Sequence, residues 1–352
     1  MDPSRWQRIE ELYHAARERG PAALEGTDPD LRREVEELLT QDTAGIGESM
    51  ALPQNDDAPA GWSGQTISRY RVLELLGRGG MGEVYKAVDT RLDRMVALKF
   101  LPAHLSADPA LKRRLKREAR TASALDHPNI VVVHDIGEAP GGETFIAMAF
   151  HEGVTLREKI REGIPTHEAL RIARQIAAGL EKAHENHIFH RDIKPGNVIV
   201  AKDGVARIID FGLAKSSEAS ASLDGLAKGT PLYMSPEQAA GGTVDCRTDL
   251  WSLGAVLYET LAGRPAFAGD SQVRVMHAIV RGSPPRLRDA RPDLSGADDR
   301  IVARALEKDV AKRHQSAAEM ARDLDAALVA AATPPGLRQL WRRLLRRPVT
   351  AE

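Results

Sequence analysis

Hydrophobic residues recur at helical spacing near the start of the chain. Trp6, Ile9, Tyr13 and Ala16 share one face, and Gly20-Pro21 ends the run. Asp28-Pro29 then has the form of an N-cap followed by proline at the first helical position. Leu31, Val35, Leu38 and Leu39 make a second apolar face. Two such helices bury too little to stand alone. Residues 1–42 are therefore expected to dock on the rest of the chain or on a second copy. Residues 43–65 are rich in Gly, Ala, Pro and Asp without any period, which reads as a linker.

From Tyr70 the period shortens to that of strands. Arg71–Leu76, Val84–Val88, Val96–Lys99 and Phe145–Phe150 fit strands, and His127–Val131 reads as the start of another. One helix, Pro109–Leu125, interrupts them, with Leu111, Leu115, Ala119 and Ala122 on one side. After Gly153 the pattern turns helical. Leu170–Glu185 aligns Ile172, Ile176, Ala177 and Leu180, and Asp249 opens a strongly apolar helix through Leu261. Between these two helices, Val198-Ile199-Val200, Asp203-Gly204 and Val205–Ile209 read as strand, tight turn, strand. The last helical pattern lies in the tail. Leu337, Leu340, Trp341, Leu344 and Leu345 alternate with Arg338, Arg342, Arg343, Arg346 and Arg347, and Pro348 ends it.

Composition narrows the class. Of 352 residues, 42% are hydrophobic and only 4% aromatic, so aliphatic side chains must fill a large core. A net charge of −1 gives no global pull toward nucleic acid, and no nucleic-acid partner is expected. The single cysteine, Cys246, excludes an intrachain disulfide, as in a reducing compartment. Met1 to Glu11 lacks the apolar run of a signal peptide. No stretch approaches the roughly 20 apolar residues that span a bilayer. A cytoplasmic location follows as the expectation. The basic tail, residues 336–347, is a candidate for weak contact with an anionic membrane surface, with docking on the chain itself or a partner as the alternative.

The candidate chemistry sits in His190-Arg191-Asp192-Ile193-Lys194-Pro195-Gly196-Asn197, with Asp210-Phe211-Gly212 beginning thirteen positions after Asn197. A hairpin between the two motifs brings oxygen-bearing groups together at one end. Asp192 can accept a proton from a hydroxyl, while Asn197 and Asp210 offer hard oxygen ligands to Mg²⁺. Upstream, Gly77-Arg78-Gly79-Gly80-Met81-Gly82-Glu83-Val84 is a Gly-x-Gly-x-x-Gly-x-Val loop, whose backbone N–H groups can approach phosphate oxygens. Dinucleotide-binding folds share this spacing, but there the loop opens a helix. Here Val84–Val88 continues as a strand.

Taken in order, these motifs resemble eukaryotic-type protein kinases, in the serine/threonine branch to judge by Lys194-Pro195. The resemblance covers residues 70–328. It implies an α+β, bilobal protein-kinase fold with a β-rich N-lobe and a mainly α C-lobe, preceded here by the helical hairpin. The expected division is 1–42, linker 43–65, kinase domain 66–328 with its lobes at 66–150 and 151–328, and tail 329–352. The implied cofactors are ATP and Mg²⁺, with Mn²⁺ as an alternative. The implied partners are protein substrates, with self-association for autophosphorylation.

Site residues follow from the resemblance one by one. Asp192 is the base, and Lys194 stabilises the transferring group. Asn197 and Asp210 hold the metal. Lys99 contacts the α- and β-phosphates and pairs with Glu118, although Arg114 or Arg117 on the same helix could claim that glutamate instead. Leu76, Gly77, Arg78, Gly79, Gly80, Met81, Gly82, Glu83, Val84, Ala97, Met148 and Phe150 surround the nucleotide, with Met148 gating the adenine pocket. Ala149 stands where many relatives carry Glu. Thr230 bridges Asp192 and Lys194 at the end of the activation segment. There Ser235-Pro236-Glu237 replaces the commoner Ala-Pro-Glu, and Glu237 is expected to pair with Arg313. Arg191 can order a phosphorylated segment, and Ser216, Ser217, Ser220 and Ser222 are the candidate acceptors. His184, His187 and His190 lack the convergent ligands of a metal site and read as structural. An ATP-binding scaffold without catalysis would commonly lack Lys99, Asp192 or Asp210, and all three are present.

Overall fold

The structure is a computed structural model that describes residues 3–42, 61–79, 82–102, 109–211 and 231–332. Gly80, Met81, Gly212, Thr230, the four candidate acceptor serines and the basic tail lie outside the described residues.

Six strands make one antiparallel sheet: β1 (Thr66–Ile67), β2 (Tyr70–Gly79), β3 (Gly82–Asp89), β4 (Arg94–Phe100), β5 (Val133–Glu138) and β6 (Thr144–Ala149). Their order is β1-β2-β3-β4-β6-β5. Alternation along β4 and β6 divides the N-lobe core in two, because successive side chains of a strand point to opposite faces. Val96, Leu98, Phe100, Phe145 and Ala147 pack on one side with Tyr70 and Tyr85. Ala97, Ile146 and Met148 pack on the other with Ala119 of α3 (Pro109–Ser123). Lys99, two positions from Ala97, therefore emerges on the second side, toward the cleft.

The C-lobe is helical around one small sheet. Its elements are β7 (Gly153–Thr155), α4 (Leu156–Glu162), α5 (Thr166–Glu185), β8 (Val198–Ala201), β9 (Ala206–Ile208), α6 (Pro236–Ala239), α7 (Arg247–Ala262), α8 (Gln272–Arg281), α9 (Leu287–Ala290), α10 (Gly296–Ala305) and α11 (Ala317–Ala332). Helix α7 is buried on nearly every side, from Thr248 through Leu261, as its unbroken apolar composition requires. Helices α5, α9 and α10 pack against it, and α11 packs on α5.

Two local expectations differ from the structure. Gly153–Thr155 forms a strand on β8 before the chain turns helical, and Thr155 then caps α4 in a reciprocal capping box with Glu158. His127–Val131 does not start a strand of the N-lobe sheet. The buried Asn129 amide donates to the Ala206 carbonyl, and Ile130 bridges Ile208 of β9, so the segment is held on the C-lobe instead.

At the start of the chain, α1 (Pro3–Arg19) and α2 (Pro29–Asp42) pack on each other and against α8. Asp28 Oδ1 accepts from the N–H groups of Asp30 and Leu31 at 3.0 and 3.2 Å, the cap legible in Asp-Pro. Ile9, Leu12, Tyr13, Ala16, Leu24 and Val35 join the C-lobe core. Among the described residues, no helix is long and apolar enough to cross a membrane.

Candidate active site

The catalytic loop is fixed from below by α7. Asp249, fully buried in the first turn of that helix, accepts the N–H of His190 at 2.9 Å and of Arg191 at 2.7 Å. His184, from the end of α5, adds its Nε2 at 2.9 Å. One carboxylate thus holds two successive backbone amides and the preceding helix. Hydrogen bonds to an ionised acceptor are the stronger kind.

His190 completes the support. Its Nδ1 accepts the N–H of Asp192 at 3.2 Å, so the proton sits on Nε2, which donates to the Ile209 carbonyl at 2.8 Å. Its ring meets Phe211 edge on, with centroids 4.8 Å apart. His190 therefore ties the catalytic loop to the Asp210-Phe211 segment, as expected of a packing residue. The Ile209 N–H also donates to the Asn197 carbonyl at 3.0 Å. Arg191 and Asp210 both adopt left-handed backbone, with φ of 62° and 65°. Such strain in non-glycine residues persists where the surroundings over-determine it. Here those surroundings are the contacts just named.

On this loop Lys194 Nζ lies 2.8 Å from Asp192 Oδ2. Asn197 Nδ2 donates to the Asp192 carbonyl at 2.8 Å and to Oδ2 at 3.1 Å. Across the cleft, Lys99 Nζ lies 2.6 Å from Asp210 Oδ2, with both side chains largely buried. Glu118 is half-buried on α3, and among the described residues no ion pair joins it to Lys99. The other oxygen of Asp210, Oδ1, is buried without a hydrogen-bond partner among the described residues. An unsatisfied carboxylate oxygen is costly to bury, and a hard cation is the partner that suits it. No group of three or more His, Cys, Asp or Glu side chains among the described residues could hold a metal alone. A magnesium ion held by Asp210 and Asn197, and completed by phosphate oxygens and water, needs no such group. The donor set fits.

The side of the cleft expected to take the nucleotide is apolar. Ala97 and Met148 face each other in register on β4 and β6 and are buried in one cluster, with Val84, Phe150 and Ile209 at its edge. Leu76 is an exposed large hydrophobic, 47% accessible, on the strand that leads into the glycine loop. Gly77 pairs with Val84 and Arg78 with Glu83, so β2 and β3 continue to the loop as a hairpin. Arg78 Nε lies 2.9 Å from a Glu83 carboxylate oxygen.

The end of the activation segment is anchored to the C-lobe. Arg313, fully buried, makes a two-pronged contact with Glu237, both at 2.8 Å, and stacks over Trp251. Thr248 Oγ1 donates to Glu237 at 2.7 Å. Burial pushes the Glu237 carboxyl up, but Arg313 and Thr248 outweigh it and hold the group below the ordinary carboxylate range. Two further contacts escaped the sequence reading. Gln238 Nε2 donates to the Arg191 carbonyl at 2.9 Å, and Tyr233 donates to Glu259 at 2.5 Å. Burial of Glu259 pushes its carboxyl up. Ser235-x-x-Gln238 forms a capping box, a pattern the sequence carries but that did not enter its reading. Nothing in that pattern signalled its reach to the catalytic loop.

Comparison with known proteins agrees with this arrangement. The protein kinase domain family matches residues 70–323. The serine/threonine-protein kinase PknB of Mycobacterium leprae is 42% identical over 263 residues, and PknB of Mycobacterium tuberculosis (strain ATCC 25177 / H37Ra) is 44% identical over 264. Each alignment covers 73% of this chain and 42% of the relative, so the chain spans about two fifths of their length. The solved kinase domain of Mycobacterium tuberculosis PknI superposes with a TM-score of 0.62 at 32% identity, covering 77% of this chain and 100% of that one. With its two lobes, its family match and these relatives, the chain belongs to the protein kinase family, in its bacterial serine/threonine branch.

Proposed function

We propose that the chain transfers the γ-phosphoryl group of ATP to serine or threonine hydroxyls of protein substrates. One observation carries the reading: Asp192, Lys194 and Asn197 form a hydrogen-bonded group on a loop fixed by Asp249, facing a Lys99–Asp210 pair with one carboxylate oxygen unpartnered among the described residues. Asp192 orients the substrate hydroxyl and accepts its proton. Lys194, already beside Asp192, neutralises charge on the group in transfer. Lys99 holds the α- and β-phosphates, with Glu118 as its partner in the nucleotide-bound state. Asn197 and Asp210 hold magnesium, which supplies charge neutralisation at the phosphates. Val84, Ala97, Met148, Leu76 and Phe150 enclose the adenine, and the Gly77–Val84 loop covers the phosphates.

Positioning and electrostatics dominate such a reaction. Asp192→Ala should therefore lower transfer by at least ~10²–10³. Labelled ATP with a generic protein substrate measures it, and phosphoamino-acid analysis identifies the acceptor. Wild-type rates in Asp192→Ala would sink the assignment. The same labelling tests activation. Phosphate is expected on one or more of Ser216, Ser217, Ser220 and Ser222, with Arg191 as the expected partner of the new charge, and an unmodified yet fully active segment would remove that part. Signalling by this chain, through protein substrates and self-association, is the setting this chemistry suits.

A further inference from the structure

We propose that Gly61-Trp62 is a positioning element for the phosphate-binding loop, acting on it through β3 and β4. The inference rests on the reading of that loop as an ATP-phosphate site.

The dipeptide lies inside the stretch whose composition reads as linker, yet it is built into the N-lobe. The Trp62 ring stacks flat on Phe100, with centroids 4.7 Å apart and planes 9° from parallel. Its N–H donates to the Tyr85 hydroxyl at 3.4 Å. Gly61 approaches that hydroxyl so closely that a Cβ there would lie 2.6 Å from it, which only glycine avoids. Tyr85 is on β3 and Phe100 ends β4, and both are buried. They meet edge on at 5.7 Å, and the row continues through Phe145 to Tyr70. With 4 Trp, 5 Tyr and 6 Phe in the whole chain, placing five of them in one row concentrates the scarce rings on this face of the N-lobe.

Each contact leads on to the loop. The Tyr85 hydroxyl donates to Glu83 Oε2 at 2.6 Å, and Glu83 pairs with Arg78 across the hairpin. Glu83 and Arg78 are themselves loop positions. Phe100 acts through its backbone. Gly82, with φ of 111°, comes so close to the Phe100 carbonyl that a Cβ would sit 1.9 Å from it. The last glycine of the loop thus leans on the residue whose ring Trp62 covers. Loop amides bind phosphate only when their N–H groups are held in place. Trp62 thus restrains the loop through Tyr85 of β3 and Phe100 of β4.

The test uses the full chain and its ATP kinetics. Trp62→Ala should raise the KM for ATP about two- to twelve-fold, the range that one lost aromatic stack corresponds to. The kcat at saturating ATP should stay nearly unchanged, since the catalytic loop is not involved. Trp62→Phe, which keeps a stacking ring, should restore most of the affinity. Tyr85→Phe, which keeps the ring and loses only the hydroxyl path to Glu83, should fall between. A merely structural Trp62 would lower the thermal midpoint and the active fraction, reducing apparent kcat at constant KM. An unchanged KM for ATP in folded Trp62→Ala would overturn the proposal. If Trp62→Ala does not fold, Trp62→Phe and Tyr85→Phe decide it, and a Tyr85→Phe KM equal to wild type would count against it. Failure of the wild-type chain to transfer phosphate would instead overturn the kinase reading, and titration of each variant with ATP would still report on the loop.

Discussion

The catalytic loop and the lysine that faces it are held in different ways. Around the loop, Asp249 takes three donors, His190 takes one and gives one, and Asn197 binds back to Asp192. The three donors to Asp249 come from α5 and the loop itself and converge on a buried helix, while His190 donates to the Ile209 carbonyl just before Asp210. Lys99 meets the opposite lobe through one ion pair with Asp210. Its side chain is confined, yet among the described residues the carboxylate it meets keeps an unsatisfied oxygen. The difference teaches which half of the site the fold fixes by itself. Among the described residues, the contacts that hold Asp192 and its loop come from the C-lobe. Lys99 and Asp210 hold each other in a way that a nucleotide and magnesium would rearrange, since both are proposed to serve phosphates.

The strongest way to break this contrast is to remove the buttress. Asp249→Ala leaves two buried backbone N–H groups and His184 without their acceptor. Each stranded buried donor costs about 1–3 kcal/mol, so a loss of about 3 kcal/mol or more in unfolding free energy is expected, together with loss of activity. Urea unfolding followed by fluorescence measures it. A variant as stable as wild type would show that the loop is held by something other than this carboxylate.

Lys99→Met probes the other half. Transfer should fall by ~10²–10³, as for loss of one preorganised charge contact. The unfolding midpoint should move less than in Asp249→Ala, because a single pair at the cleft is lost and water can reach Asp210. Parallel denaturation curves of the two variants give the comparison directly. Equal destabilisation would mean that the lobes depend on the Lys99–Asp210 pair as much as the loop depends on its helix.

How much of this was legible depended on distance along the chain. Asp192, Lys194 and Asn197 lie within one short run, and their mutual contacts follow from that run. Lys99 and Asp210 are 111 positions apart, and only the order of motifs suggested that they share a cleft. The Glu237–Arg313 pair spans 76 positions and was expected solely from the family resemblance. Gly153–Thr155 was missed as a strand because three residues carry no period. His127–Val131 was read as the start of a strand, yet Ile130 only bridges Ile208, because an apolar run does not say which neighbour will pair with it. Trp62 escaped because an anchor of one residue leaves no pattern in a Gly- and Pro-rich stretch. What decides these cases is side-chain reach in three dimensions, which composition averages away.

The smallest expected effect concerns whether the C-lobe platform is held by charge at the end of the activation segment. Glu237 has a folded pKa below its ordinary 4.5, with Arg313 and Thr248 overcoming the effect of burial. As pH falls, the unfolded chain therefore takes up this proton before the folded one does. The pair's contribution is complete above about pH 4.5 and is lost as pH drops through the lower, folded value. Glu237→Gln keeps the size of the side chain and removes the charge. It should be less stable than wild type at neutral pH, and the gap should close as the medium becomes more acid than pH 4.5. Thermal midpoints of both proteins across pH 3 to 7 test this, and a gap independent of pH would mean that shape, not charge, anchors the segment beside Arg313.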